Sequence, residues 1–415
     1  MKPNILIFAH YYLPGTRAGG PIRSISNLVE NFGSEYNLKI ITADRDFGDK
    51  NSYKDIQKNT WVQVGKAEVY YISPTFINML FLAKLIKSID YDFYYLNSFF
   101  DPKFSFLPIL LRWTGFINSK PILIAPRGEF SPGALNIKSF KKRIYLICLK
   151  NLGMLKDAVW QASSDSEKKD IYRSLIGISI NKSSISIPLK NLKVAPDLLQ
   201  FYENIFISGN LASSSSSSSS GSRLVRNLNI CFASRISKMK NLDFLLEILL
   251  KVRSHVVLNI HGPAEDLDYW NLCQSLIQQL PLNIEVNNFG AYKNEDVEKI
   301  LGENDILFLP TLGENFGHVI FEALRSGLPV LISDRTPWCD LEASKAGWIG
   351  SLDEPNYFVE TIEKLAKLSF SELQVYKDGA REYANNYLFT TNARNETKTL
   401  FQYMMTQNSI ECRSK

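Results

Sequence analysis

The chain has 415 residues, 45% hydrophobic and 21% charged, a composition of a globular protein with sizeable cores and a length that predicts two to three domains. No apolar run approaches the roughly 20 residues needed to span a bilayer, and Met1-Lys2-Pro3 leads straight into a strand without a signal-peptide pattern, so a cytoplasmic protein is expected. Cys148, Cys231, Cys273, Cys339 and Cys412 are odd in number with no CxxC, and no two of the four histidines stand at metal-ligand spacing, which argues against a disulfide framework and a zinc site.

The net charge of +5 hides an asymmetry. Residues 1–190 hold 26 Lys and Arg against 15 Asp and Glu, net +11, and the remainder is net −6. The basic half is the one suited to an anionic surface.

In chain order, Ile5-Leu6-Ile7-Phe8 is a buried strand. It is followed by a Gly-rich loop ending in Gly19-Gly20-Pro21 and by a helix with apolar Ile22, Ile25, Leu28 and Val29. A Gly-rich loop between a first strand and a first helix faces phosphate in an open α/β sheet, with a plain turn as the alternative. Leu38 to Thr42 and Ala67 to Ile72 are further strands. Between them, Asp44-Arg45-Asp46 has the form of a metal-binding Asp-x-Asp and is expected to be a solvated loop. The strand Asp92 to Phe99 ends in polar Asn97 and Ser98, and the strand Pro121 to Ala125 ends in Pro126-Arg127-Gly128-Glu129. Arg127 and Glu129 are charged residues at a strand end where ligands of such sheets sit, with a loop salt bridge as the alternative. The segments Phe76 to Ile89, Phe104 to Ile117 and Asn136 to Lys150 are apolar or aromatic with Lys and Arg interspersed. They read as helices able to lie on anionic lipid, or as ordinary core helices with basic outer faces.

Residues 189–228 carry little pattern, and Ser213 to Ser220 is an unbroken serine run, so this segment is expected to be a linker. The strand Leu228 to Ala233 then leads through Arg235 and Lys240 into a helix. Two cations five residues apart at the mouth of a sheet can grip a diphosphate, with Lys238 as a bystander. Further strands end at Gly262-Pro263 and Gly290, with Tyr292 beyond. The most informative stretch is Thr311-Leu312-Gly313-Glu314-Asn315-Phe316-Gly317-His318-Val319-Ile320-Phe321-Glu322, between the apolar strands Asp305 to Pro310 and Val330 to Ser333. It predicts a loop and then a helix over 317–326, stopped by Gly327 and Pro329. Glu314 in the loop and Glu322 on the helix can converge on one ligand. The amides of Phe316, Gly317 and His318 lack intrahelical partners and favour an anion.

This Glu-x7-Glu arrangement around Phe-Gly, with Arg235 and Lys240 upstream, resembles the donor site of retaining glycosyltransferases of family four. The resemblance implies the GT-B fold, an α/β architecture of two facing Rossmann-like domains with a cleft between them. Here these would be an N-terminal acceptor-binding domain over 1–188, the linker 189–228, a C-terminal nucleotide-sugar-binding domain over 229–386, and a last helix in 387–415 crossing back to the first domain. Its implied donor-binding residues are Gly19, Gly20, Arg235, Lys240, Glu314, Asn315, Phe316, Gly317, His318 and Glu322. Glu314 holds the sugar, Glu322 the ribose and the two cations the diphosphate; Asn241 stands where the family usually has Gly. Family members often carry a Ser-x-x-Glu-like segment within the stretch Ala158 to Glu167, a strand leading into a helix capped by Ser164 or Ser166. Many carry His-Asp where this chain has Arg127 and Glu129, so Glu314 and Arg127 are the catalytic candidates.

The implied activity is a metal-independent, retaining transfer of a hexosyl group from a UDP- or GDP-linked sugar, with no cofactor and no nucleic acid. The expected acceptor is a saccharide, lipid-linked, for a surface polysaccharide, with peripheral contact to an anionic membrane at the inner face of the cytoplasmic membrane. A GT-B epimerase or phosphorylase, or an inactive glycosyltransferase-like scaffold, is the alternative.

Overall fold

In a computed structural model of the chain, residues 2–136, 139–176, 189–199, 227–293 and 296–413 are described. The serine run and the segment Ser184 to Pro188 lie outside them.

The first sheet contains β1 (Asn4–Phe8), β2 (Asn37–Ala43), β3 (Trp61–Val64), β4 (Ala67–Ile72), β5 (Phe93–Leu96), β6 (Ile122–Ile124), β7 (Val159–Ala162) and β8 (Leu192–Val194), in the order β3-β4-β2-β1-β5-β6-β7-β8. The second contains β9 (Leu228–Ala233), β10 (Val256–His261), β11 (Ile284–Gly290), β12 (Ile306–Leu309), β13 (Val330–Ser333) and β14 (Gly347–Gly350), in the order β11-β10-β9-β12-β13-β14. β3 is antiparallel to β4, and the other pairings are parallel. Strands such as β5, β12 and β13 are buried at every position, because helices cover both faces of a parallel sheet and leave no polar side. The result is two α/β domains, and it matches the expected fold class.

The helix Gly20–Phe32 turns Ile25, Leu28, Val29 and Phe32 onto one face of the first sheet. The last helix, Ala393–Arg413, returns to that same face. Its Phe401 ring lies 5.6 Å from Phe32 and 5.5 Å from Phe93, and Arg394 and Lys398 both pair with Glu35. The helices Met79–Lys87, Leu107–Trp113 and Ser139–Asn151 pack on the opposite face through Leu82, Ile86, Ile109, Leu146 and Leu149.

One loop departs from expectation. Asp44 and Asp46 are buried, not solvated. Asp44 pairs with Arg45 at 2.8 Å, and Asp46 accepts the amides of Thr16 at 2.8 Å and Arg17 at 3.1 Å. A carboxylate that collects backbone donors is stable inside, and this one fixes the loop after β1.

Candidate donor site in the interdomain cleft

The carboxyl ends of β1, β6, β9 and β12 carry loops that meet in one cleft of ≈ 370 Å³. Ligands of open α/β sheets bind at such strand ends. Of the residues expected from sequence, Gly19, Gly20, Arg127, Arg235, Lys240, Glu314, Asn315, Phe316, Gly317 and His318 line it. Glu322 is not among the lining residues; it pairs with Arg23, which is.

The Glu314 loop leaves β12 and is tied to the Lys240 loop. The Met239 carbonyl accepts from the Leu312 amide at 2.8 Å and from Thr311 Oγ1 at 2.9 Å, and the Glu314 amide donates to the Arg335 carbonyl at 3.0 Å. Lys240 Nζ then pairs with Glu314, both side chains nearly buried, and Arg235 pairs with Glu265 at 2.9 Å. The helix expected over 317–326 runs His318–Arg325 with Gly317 as its N-cap, at φ 78°. That left-handed backbone favours glycine, and a Cβ there would sit 2.9 Å from the movable end of the Ile320 side chain. The amides of Gly317 and His318 precede any intrahelical acceptor and open on the cleft. Phe316 also lines the cleft. Its ring is buried beside Trp338 and Tyr387, and its carbonyl accepts from Trp338 Nε1 at 2.6 Å.

The N-terminal domain closes the other side. A Cβ on Gly19 would lie 3.7 Å from Arg235 Nε, and one on Gly20 would lie 3.7 Å from His318 Cδ2, so the glycine pair faces both residues across the cleft. Asn315 reaches the opposite domain. With its amide nitrogen turned toward Glu167, it donates to Glu167 Oε2 at 2.8 Å and to Ser163 Oγ at 2.7 Å. Glu167 also accepts the Gly128 amide at 2.6 Å and the Ser163 amide at 2.7 Å, while burial pushes its carboxyl above the ordinary range.

Arg127 is fully engaged in this frame. Its guanidinium pairs with Asp197, donates to Tyr95 Oη, and donates through Nε to Asn97 Oδ1 at 3.0 Å. Glu129 likewise turns inward, accepting Ser98 Oγ at 2.8 Å and the amides of Phe99 at 2.6 Å and Phe100 at 3.2 Å. Asp197 also faces His318 Nε2 at 3.8 Å and accepts from Ser24 Oγ at 3.4 Å. Burial pushes the His318 imidazole down to about 4, with Arg23, Arg127 and Lys240 pushing the same way, so the ring is neutral near pH 7.

Sequence reasoning did not find Arg23, Ser24 or Asp197. Arg23 follows Gly20 by one helical turn and therefore shares its face, a signal that was available. Asp197 lies in the segment that reads as linker and gave none.

Residues 222–383 match the family model described as "Glycosyl transferases group 1". A 41.2 kDa protein of the cps region of Klebsiella pneumoniae is 23% identical over 384 residues, covering 90% of this chain and 94% of that one. A glycosyltransferase of Methanocaldococcus jannaschii is 28% identical over 106 residues, 25% of this chain and 26% of that one. Among solved structures, Anabaena HepE in complex with UDP and glucose superposes with a TM-score of 0.67 at 15% identity, over 97% of this chain and 100% of that chain. WaaG, a glycosyltransferase involved in lipopolysaccharide biosynthesis, superposes with a TM-score of 0.60 at 15% identity, over 96% and 99%. The two facing sheets, the cleft built at their carboxyl ends and the match over the second domain converge: the chain has the two-domain fold of GT-B glycosyltransferases, and its residues 222–383 are similar to the group 1 glycosyl transferase family.

Proposed function

We propose that the protein is a retaining, metal-independent hexosyltransferase of family four. It moves a hexosyl group from a UDP- or GDP-linked sugar to a lipid-linked saccharide in surface polysaccharide synthesis. The observation that carries this reading is Glu322. Its side chain is 27% exposed and pairs with Arg23 through Oε1, yet Oε2 is buried with no hydrogen-bond partner. A buried carboxylate oxygen without a donor is costly, and a ribose hydroxyl supplies one. Burial pushes the Glu322 carboxyl above its ordinary range against the pull of Arg23, which the added donor would also offset.

The remaining groups fall into place around the donor. Arg235, Lys240 and the amides of Gly317 and His318 receive the diphosphate, displacing the carboxylates of Glu265 and Glu314 from the two cations. Glu314, released, accepts from sugar hydroxyls. The anomeric C–O bond to the diphosphate breaks and the acceptor oxygen bonds to the same face. The acceptor proton passes to the departing phosphate oxygen. Arg127 holds Asp197, and through it the neutral His318, at the cleft wall. UDP-glucose, bound by Anabaena HepE, is the first donor to try, and the relative from a cps region favours a surface polysaccharide as product.

The test is calorimetry of a nucleotide-sugar panel in EDTA. UDP-glucose should bind the wild type and bind Glu322→Ala at least tenfold more weakly, about the loss of one hydrogen bond to a charged group. If the folded wild type binds no member of the panel, the enzyme reading fails and the inactive scaffold replaces it.

A lipid-borne acceptor is supported by the outer face of the N-terminal domain. Phe76, Leu80, Phe140 and Ile144 stand exposed there at 68%, 73%, 75% and 46%, with exposed Lys84, Lys87, Lys141 and Arg143 on the same helices or beside them. Apolar side chains among cations suit the headgroup region of an anionic bilayer. This surface supports a peripheral position at the inner face of the cytoplasmic membrane. The protein should sediment with phosphatidylglycerol-containing vesicles, and combined Phe76→Ser, Leu80→Ser and Phe140→Ser should weaken partitioning more than tenfold, since each buried apolar side chain contributes roughly 1.5–3 kcal/mol. Wild-type protein left in the supernatant would remove the membrane from the proposal.

A further inference from the structure

His10 follows the carboxyl end of β1, the end whose loop continues to the cleft-lining Thr16, Arg17 and Gly19, and it is not itself among the lining residues. Its Nδ1 lies 2.5 Å from Asp101 Oδ2. Its ring is stacked on Tyr11, with centroids 4.1 Å apart and planes 11° apart, and on Phe104 at 4.8 Å and 30°. Both faces of the imidazole and one nitrogen are therefore committed, and the side chain remains 31% exposed. What it presents outward is the Nε2 edge.

Asp101 fixes the chemistry of that edge. Through Oδ1 it also accepts the amides of Lys103 at 2.8 Å and Phe104 at 2.6 Å. Burial works against its charge, but the His10 contact and these amides hold its carboxyl below the ordinary range. An ionised partner requires Nδ1 to be the donor, so in the neutral ring Nε2 is an acceptor, directed and preorganised.

The position of the dyad says what it accepts from. On one side, the Tyr11 ring meets Phe47 edge-on at 5.7 Å, and Asp46 beside it holds the Thr16 and Arg17 amides at the donor cleft. On the other side, Lys103 Nζ donates to the Pro74 carbonyl, in the loop that carries the exposed Phe76. The dyad thus stands between the donor cleft and the apolar face.

We propose that His10, oriented by Asp101 and flanked by the Tyr11 ring, forms the acceptor subsite, with His10 Nε2 accepting a hydrogen bond from a hydroxyl of the incoming saccharide. A hydroxylated ring with an apolar edge matches an aromatic wall beside one fixed acceptor nitrogen. The inference rests on the hexosyltransferase reading above and deepens it.

The experiment uses full-length protein saturated with UDP and titrated with n-octyl β-D-glucopyranoside below its micelle-forming concentration. Binding is followed by NMR of the four histidine rings. The His10 ring resonance should shift while His255 and His261 stay in place. His10→Asn keeps a nitrogen for Asp101 and deletes Nε2. It should bind the glucoside about tenfold more weakly with the protein still folded and UDP affinity unchanged, and His10→Gln should recover part of the loss. An unmoved His10 resonance, or an Asn variant that binds the glucoside like the wild type, would overturn the subsite and leave a structural staple. Failure of the wild type to bind UDP is a separate readout, and it would sink the hexosyltransferase reading and the subsite with it.

Discussion

Lys240→Met lowers kcat by about 10²–10³-fold and raises the donor KM only a few-fold, because the missing charge matters most where the leaving diphosphate becomes more negative. The placement of Lys240 is what makes the effect large. It ends a short turn, Lys238–Lys240, followed by Asn241, whose side chain donates to the Pro310 carbonyl at 2.9 Å. The Met239 carbonyl binds the Leu312 amide and Thr311, so the cation is fixed relative to the Glu314 loop before any donor arrives. A preorganised cation in a nearly dry site needs no rearrangement as charge develops. The exposed Lys238, on the same turn, is the internal control, and Lys238→Met should leave both constants within about twofold. Steady-state rates with UDP-glucose check both; a Lys240→Met kcat within tenfold of the wild type would remove Lys240 from the transition state.

The second domain was more legible than the first because its site residues sit in two loops with strong local grammar. Arg235 and Lys240 follow one apolar strand, and Glu314 to Glu322 follows another, so strand, loop and helix could be placed without knowing any partner. Asn241 in place of glycine is explained by its backbone at φ 61°, a left-handed conformation that Asn tolerates better than most residues. The first domain was read less well for a physical reason. Its contributions are defined by pairs remote in sequence: Arg23 meets Glu322 across 299 positions, and Arg127 meets Asp197 across 70. Composition identifies the charges there but not their counter-ions. The same blindness turned Asp44 and Asp46 into an expected solvated loop. Phe316 illustrates the converse, a residue of the motif that lines the cleft although its ring belongs to the core.

Arg127→Leu should destabilise the protein by about 3–5 kcal/mol, the usual cost of leaving a buried charge without its partner. The group left behind is Asp197, which is 4% exposed and would keep, among the described residues, Ser24 and the distant His318 as polar partners. Tyr95 and Asn97 would lose their contacts to the guanidinium as well. Asp197→Leu should cost a similar amount for the mirror-image reason, whereas the double variant Arg127→Leu/Asp197→Leu should recover most of the loss, since an apolar pair of similar volume replaces a buried ion pair without stranding a charge. Urea unfolding of the four proteins measures the coupling. The same set separates a positioning role from a catalytic one. If Arg127 acts by holding Asp197 and, through it, His318 at the cleft wall, the double variant regains stability yet binds UDP-glucose more weakly than the wild type, because His318 has lost Asp197. If Arg127→Leu is as stable as the wild type while its kcat collapses, the guanidinium is free to leave Asp197 and reach the substrate, and Arg127 takes the place that His holds in the resembling family.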